Sequence, residues 1–183
     1  MIGRVGSQRV VSLSGGLIVA AGIGFALVRF FGEVPPAQNL ETAAGAAAFG
    51  AVIAAPGVLA LLALRDRPAL LLPAAMLLVP LSFLSFALVT LPLLIPAFLL
   101  VRGFARADLG HPGWRVAATT IGVLALLIAA MAALFVHDDP RHYTTDTGDY
   151  STSDIVTYIE ATLSLALTAT AIAIAWRLNP PGR

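Results

Sequence analysis

The sequence predicts an all-α polytopic membrane protein, a bundle of about six helices with a short Pro-rich hairpin and both termini in the cytoplasm. Three observations predict it. Of 183 residues, 58% are hydrophobic and 11% charged, whereas a soluble domain carries about 25% charged residues to cover its surface. Five charge-free apolar runs follow one another: Val10–Val28, Thr42–Leu64, Pro68–Val101, Val116–His137 and Ala161–Trp176. The arginines between them are distributed unevenly, in the sense that positive residues stay on the cytoplasmic side. No sustained alternation of apolar and polar residues indicates a β-barrel. The chain reads as one membrane domain, residues 1–183.

The first run has the Arg4 and Arg9 flank of a signal peptide. At 19 residues it is longer than a typical signal core and no clear Ala-x-Ala site follows it, so it is read as a retained helix, 10–31. The second gives a helix over 42–64. The third run decides the topology. Its 34 residues would make one helix about 51 Å long at 1.5 Å per residue, too long for a bilayer core of about 30 Å. It also holds Pro68, Pro73, Pro80, Pro92 and Pro96, and an internal proline removes a backbone donor. Thr90-Leu91-Pro92 is the preferred break, because Thr can cap a new helix and Pro suits its first turn. Ser82–Ser85 is the second choice. Helices over 69–88 and 91–105 result, as full crossings or as a re-entrant pair. The remaining helices are placed at 114–136 and 155–177.

Arginine placement tests the hairpin independently. With it, Arg4, Arg9, Arg65, Arg67, Arg102, Arg106, Arg115, Arg177 and Arg183 fall inside, and Arg29 and Arg141 outside. Without it the division is five against six, which is no bias. Trp114 and Trp176 fall at cytoplasmic boundaries, where amphipathic rings favour the headgroup region.

Composition excludes several chemistries. There is no Cys, hence no disulfide, thiolate nucleophile or Cys-ligated metal. Every basic residue is Arg, so no Schiff-base or phosphate-loop lysine exists. Arg-only usage with abundant Ala and Gly points to a GC-rich coding bias, a bacterial source and the inner membrane. A net charge of +1 gives no field for nucleic acid. No phosphate loop, dinucleotide fingerprint, His-Glu-x-x-His or Gly-x-Ser-x-Gly is present. No cofactor, metal or enzymatic activity is expected.

Small residues recur every four positions at Ser12, Gly16, Ala20 and Gly24, and at Ala46, Gly50 and Ala54. Such stripes let two backbones approach closely in lipid; internal packing is the preferred reading and a dimer contact the other. Thr157, Glu160, Ser164 and Thr168 form a polar stripe on the last helix. A carboxylate inside a membrane marks an ion or proton site by default. Against that, Thr157-x-x-Glu160 fits a capping box at a helix start, and Ser and Thr also serve as helix–helix hydrogen-bonding groups. The structural reading is preferred. Arg29 is expected to snorkel to headgroups, or to pair with Glu33 or Glu160. The outer segment His137–His142 with Asp146, Asp149 and Asp154 matches no zinc or EF-hand spacing and reads as a solvated acidic loop. The leading expectation is a non-catalytic membrane component that meets lipid and packs with itself or with other membrane subunits. The alternative is a small oligomeric transporter or channel using Glu160.

Overall fold

The computed structural model describes residues 2–32, 40–65, 67–84, 90–105, 113–135, 141–145, 148–152 and 156–179. In chain order these form α1 (Ile2–Gly32), α2 (Leu40–Ala63), a 3-10 turn (Pro68–Leu70) leading into α3 (Leu71–Leu84), α4 (Thr90–Ala105), α5 (Gly113–Ala133), the strands β1 (Arg141–Thr145) and β2 (Gly148–Thr152), and α6 (Tyr158–Leu178). Among the described residues, four segments are long and apolar enough to cross a membrane: Gln8–Phe31, Ala43–Ala63, Gly113–Ala133 and Tyr158–Leu178. On that length and composition the chain reads as a multi-pass membrane protein. Two shorter apolar segments, Pro68–Leu81 and Leu94–Ala105, accompany them.

The long third run is folded back on itself. In one helix Leu71 and Gly103 would stand about 48 Å apart. Instead, a Cβ placed on Gly103 would lie 3.4 Å from Leu71 Cδ1, so the end of α4 sits beside the start of α3. Pro92 falls in the first turn of α4, as expected. Pro80 and Pro96 lie inside helices without dividing them. Residues 85–89, part of the expected break, lie outside the described residues. Leu71 and Leu78 belong to one apolar cluster, with Leu59 and Leu100, and Leu81 to the next, with Val52, Ala130 and Ala161. The α3 helix therefore passes from one half of the bundle into the other.

Close contacts fix how the other helices run. Gly103 also neighbours Val11, near the start of α1, and Arg67, just after α2, reaches Trp176 and Asn179 at the end of α6. At the opposite end Gly45 meets Val156, while the rings of Phe25, Phe49 and Phe135 pack in series. One end of the bundle thus gathers Arg9, Arg65, Arg67, Arg102, Arg115 and Arg177, with Arg4 in the first turns of α1. Arg29 lies at the other, where β1 and β2 connect α5 to α6.

The α1–α2 seam corrects the expected glycine stripe. Ser12, Gly16 and Ala20 are exposed, and nothing lies within 4 Å of a Cβ built on Gly16 or Gly24. The face that meets α2 carries Gly15 and Gly22. A Cβ on Gly22 would stand 2.7 Å from the Gly50 carbonyl oxygen and 2.8 Å from Ala54 Cβ. One on Gly57 would stand 2.7 Å from the Gly15 carbonyl. The reason is angular. Gly15 stands about 100° round the helix from Gly16, and α1 is turned so that Gly15 rather than Gly16 meets α2. On α2 the expected Gly50 and Ala54 do lie on the seam, and Ala46 is buried.

A second difference is the antiparallel β-hairpin between α5 and α6, where a solvated loop is expected from the acidic sequence. Its register pairs Tyr143 with Tyr150 and His142 with Ser151.

Candidate functional site: the polar face of α6 and the Arg67 clasp

Helix α6 begins at Tyr158, three residues later than the sequence pattern indicates, because Thr157 is its cap. Thr157 has extended backbone angles, φ −67° and ψ 157°. The Glu160 backbone N–H donates to Thr157 Oγ1 at 3.3 Å, and the Thr157 N–H donates to Glu160 Oε2 at 2.8 Å. Both halves of a capping box are therefore made. The Glu160 carboxylate also opposes the positive end of the helix dipole, and Arg177 in the last turn opposes the negative end.

Beyond the cap the stripe turns inward. Ser164 and Thr168 are buried with Ala161, Ala171 and Ala175. Thr168 Oγ1 donates to the Ser164 carbonyl at 2.9 Å, the back-bonding by which a threonine is tolerated within a helix. Thr162 and Thr170 on α6, and Thr119 and Thr120 on α5, do the same. Ser164 Oγ is fully buried and has no hydrogen-bond partner. The four stripe residues share a face, but they divide into a half-buried cap and a buried pair.

Arg29 lies with its guanidinium carbon 5.7 Å from the centroid of the Phe49 ring, within cation–π range. This aromatic contact is not among the readings the sequence offers for Arg29.

The most elaborate polar contact is one the sequence does not reveal. Arg67 follows α2, and its guanidinium carbon stands 3.4 Å from the Trp176 ring centroid. Its NH1 donates to the carbonyl of Trp176 and, at 2.9 Å, to that of Asn179. Those carbonyls belong to the last turn of α6, where no helical N–H remains to satisfy them. Asn179 Nδ2 adds a bond to the Ala175 carbonyl at 3.1 Å. In the sequence Arg67 registers only as one more positive charge, because its partners lie more than 100 residues away.

Among the described residues no group of three or more His, Asp or Glu side chains converges as a metal site. His137, Asp138, Asp139, Asp146 and Asp154 lie outside the described residues. Chemically, the arrangement anchors helix ends: the Thr157–Glu160 box closes the start of α6, and Arg67 and Asn179 bond carbonyls at its end. Searches of family models, curated proteins and solved structures found no match to this chain.

Proposed function

We propose that this chain is a non-catalytic, multi-pass membrane component that works by packing with copies of itself or with other membrane subunits, its arginine-rich end in the cytoplasm. The capping box carries this reading. Glu160, the carboxylate from which an ion-coupled mechanism would be built, is bonded to backbone at the start of α6, a helix-anchoring role. The Arg67 clasp is likewise a bond between helix ends. Outward-facing Leu17, Ile95, Phe98, Ile121 and Ile159 offer acyl chains or partner helices an apolar surface. The arginine distribution supports inside termini and an even number of passes, and the composition supports a bacterial inner membrane.

Two measurements test this. The mass of the purified protein in detergent, with cross-linking in native membranes, should show a defined assembly. Proteoliposome flux should be the same for the native chain and for Glu160→Gln. Proton or cation flux that disappears in a folded Glu160→Gln variant would replace this reading with a transporter.

A further inference from the structure

We propose that the Ser164 hydroxyl and the Val52 carbonyl together hold one buried water molecule across the α2–α6 interface, at the point where Pro56 interrupts the hydrogen-bond ladder of α2. Pro56 lies inside α2 and is fully buried. It has no N–H, so the carbonyl four residues earlier, that of Val52, loses its helical donor. In lipid a freed carbonyl needs another partner from protein or water.

The two helices place Ser164 at that level. They run parallel, with Gly45 beside Val156 at one end and Arg67 bonded to Asn179 at the other, an offset of 111 to 112 residues at each. That offset sets Ser164 against Val52 and Ile53. The apolar clusters bracket the same point: Val52 packs in one with Ala161, and Ala55 and Leu59 in the next with Ala171. Ser164 Oγ is buried there with no partner, unlike its back-bonded threonine neighbours. A buried water typically makes about three hydrogen bonds. Here it accepts from Ser164 Oγ and donates to the Val52 carbonyl and to Thr168 Oγ1, whose own proton is engaged with the Ser164 carbonyl. One turn before Ser164 the buried face of α6 carries Ala161, whose small side chain leaves room.

A double-mutant cycle on the full chain in detergent tests this, using Ser164→Ala, Pro56→Ala and both. Ser164→Ala should lower the unfolding temperature by about 2–4 °C, the scale of one lost hydrogen bond in a chain of this size. In the Pro56→Ala background the loss should fall below half, because residue 56 then donates to Val52. A loss equal in both backgrounds means that the hydroxyl bonds the Glu160 carbonyl of its own helix, and overturns the proposal. So does a neutral or stabilising Ser164→Ala. Should Pro56→Ala not fold, water-edited solid-state NMR on the native chain in liposomes decides. Polarisation transfer from water to Ser164 Cβ is expected, and its absence overturns the site.

Discussion

Arg67 and Trp176 stack, guanidinium carbon to ring centroid 3.4 Å, while the same guanidinium donates to two carbonyls at the end of α6. One side chain thus satisfies a helix C-terminus, covers an interfacial tryptophan and ties α2 to α6. Arg67→Ala should cost about 1.5–3 kcal/mol, the range for hydrogen bonds to a charged group. Arg67→Lys should recover only part, since a lysine keeps the charge but loses the planar fork and the stack. Unfolding in detergent, followed by tryptophan fluorescence, measures both. Equal stability of all three proteins would show the clasp to be energetically idle.

The α6 cap gives a second expectation. Thr157→Ala removes the acceptor for the Glu160 N–H and should cost about 0.5–2 kcal/mol. Glu160→Gln retains an acceptor for the Thr157 N–H and should stay within about 0.5 kcal/mol of the native chain. Thermal scans on the two variants are the check. A Glu160→Gln loss as large as that of Thr157→Ala would assign the carboxylate a role beyond capping.

The two glycine faces of α1 should behave oppositely. Gly22→Ala puts a methyl 2.7 Å from a backbone carbonyl and should destabilise by about 1–3 kcal/mol, the usual cost of overpacking. Gly16→Ala meets nothing within 4 Å and should be neutral, or more stable by about 0.5–1 kcal/mol from helix propensity. If Gly16→Ala instead changes the mass of the assembly in detergent, that open face is an oligomer contact.

Orientation can be read cleanly because the chain has no cysteine. A single Cys at Arg177 should react with a membrane-impermeant maleimide only after permeabilisation of cells. A single Cys at Ser151 should react in intact cells. The reverse pattern would invert the bundle.

Much of this fold is legible in the sequence because lipid simplifies the problem. Every crossing must close its own backbone hydrogen bonds, so Thr42–Leu64 or Val116–His137 declares a helix by length alone. The folding back of Pro68–Val101 is legible because a charge-free run of 34 residues and the arginine count both demand it. What escapes is rotation. Gly15 and Gly16 are neighbours, and only the partner helix decides which of them faces inward. The capping box is legible because its two residues are three apart, and that is local chemistry. The Arg67 clasp is not, because nothing near Arg67 names Trp176. The β-hairpin is hidden by its polar, acidic surroundings, which resemble those of an unstructured connection.

The α2–α6 tie has a consequence for the order in which the protein is made. Synthesis proceeds from the N-terminus, so α2 and Arg67 enter the membrane long before Trp176 exists. Over that interval the face of α2 that carries Ala55, Leu59 and Ala63 awaits helices not yet translated, and the cation beside it awaits carbonyls that arrive with α6. The α1–α2 pair needs no such delay, since its glycine seam is complete once both helices are in place. A truncated product lacking α6 would therefore hold a finished hairpin next to an open groove with an arginine at its rim.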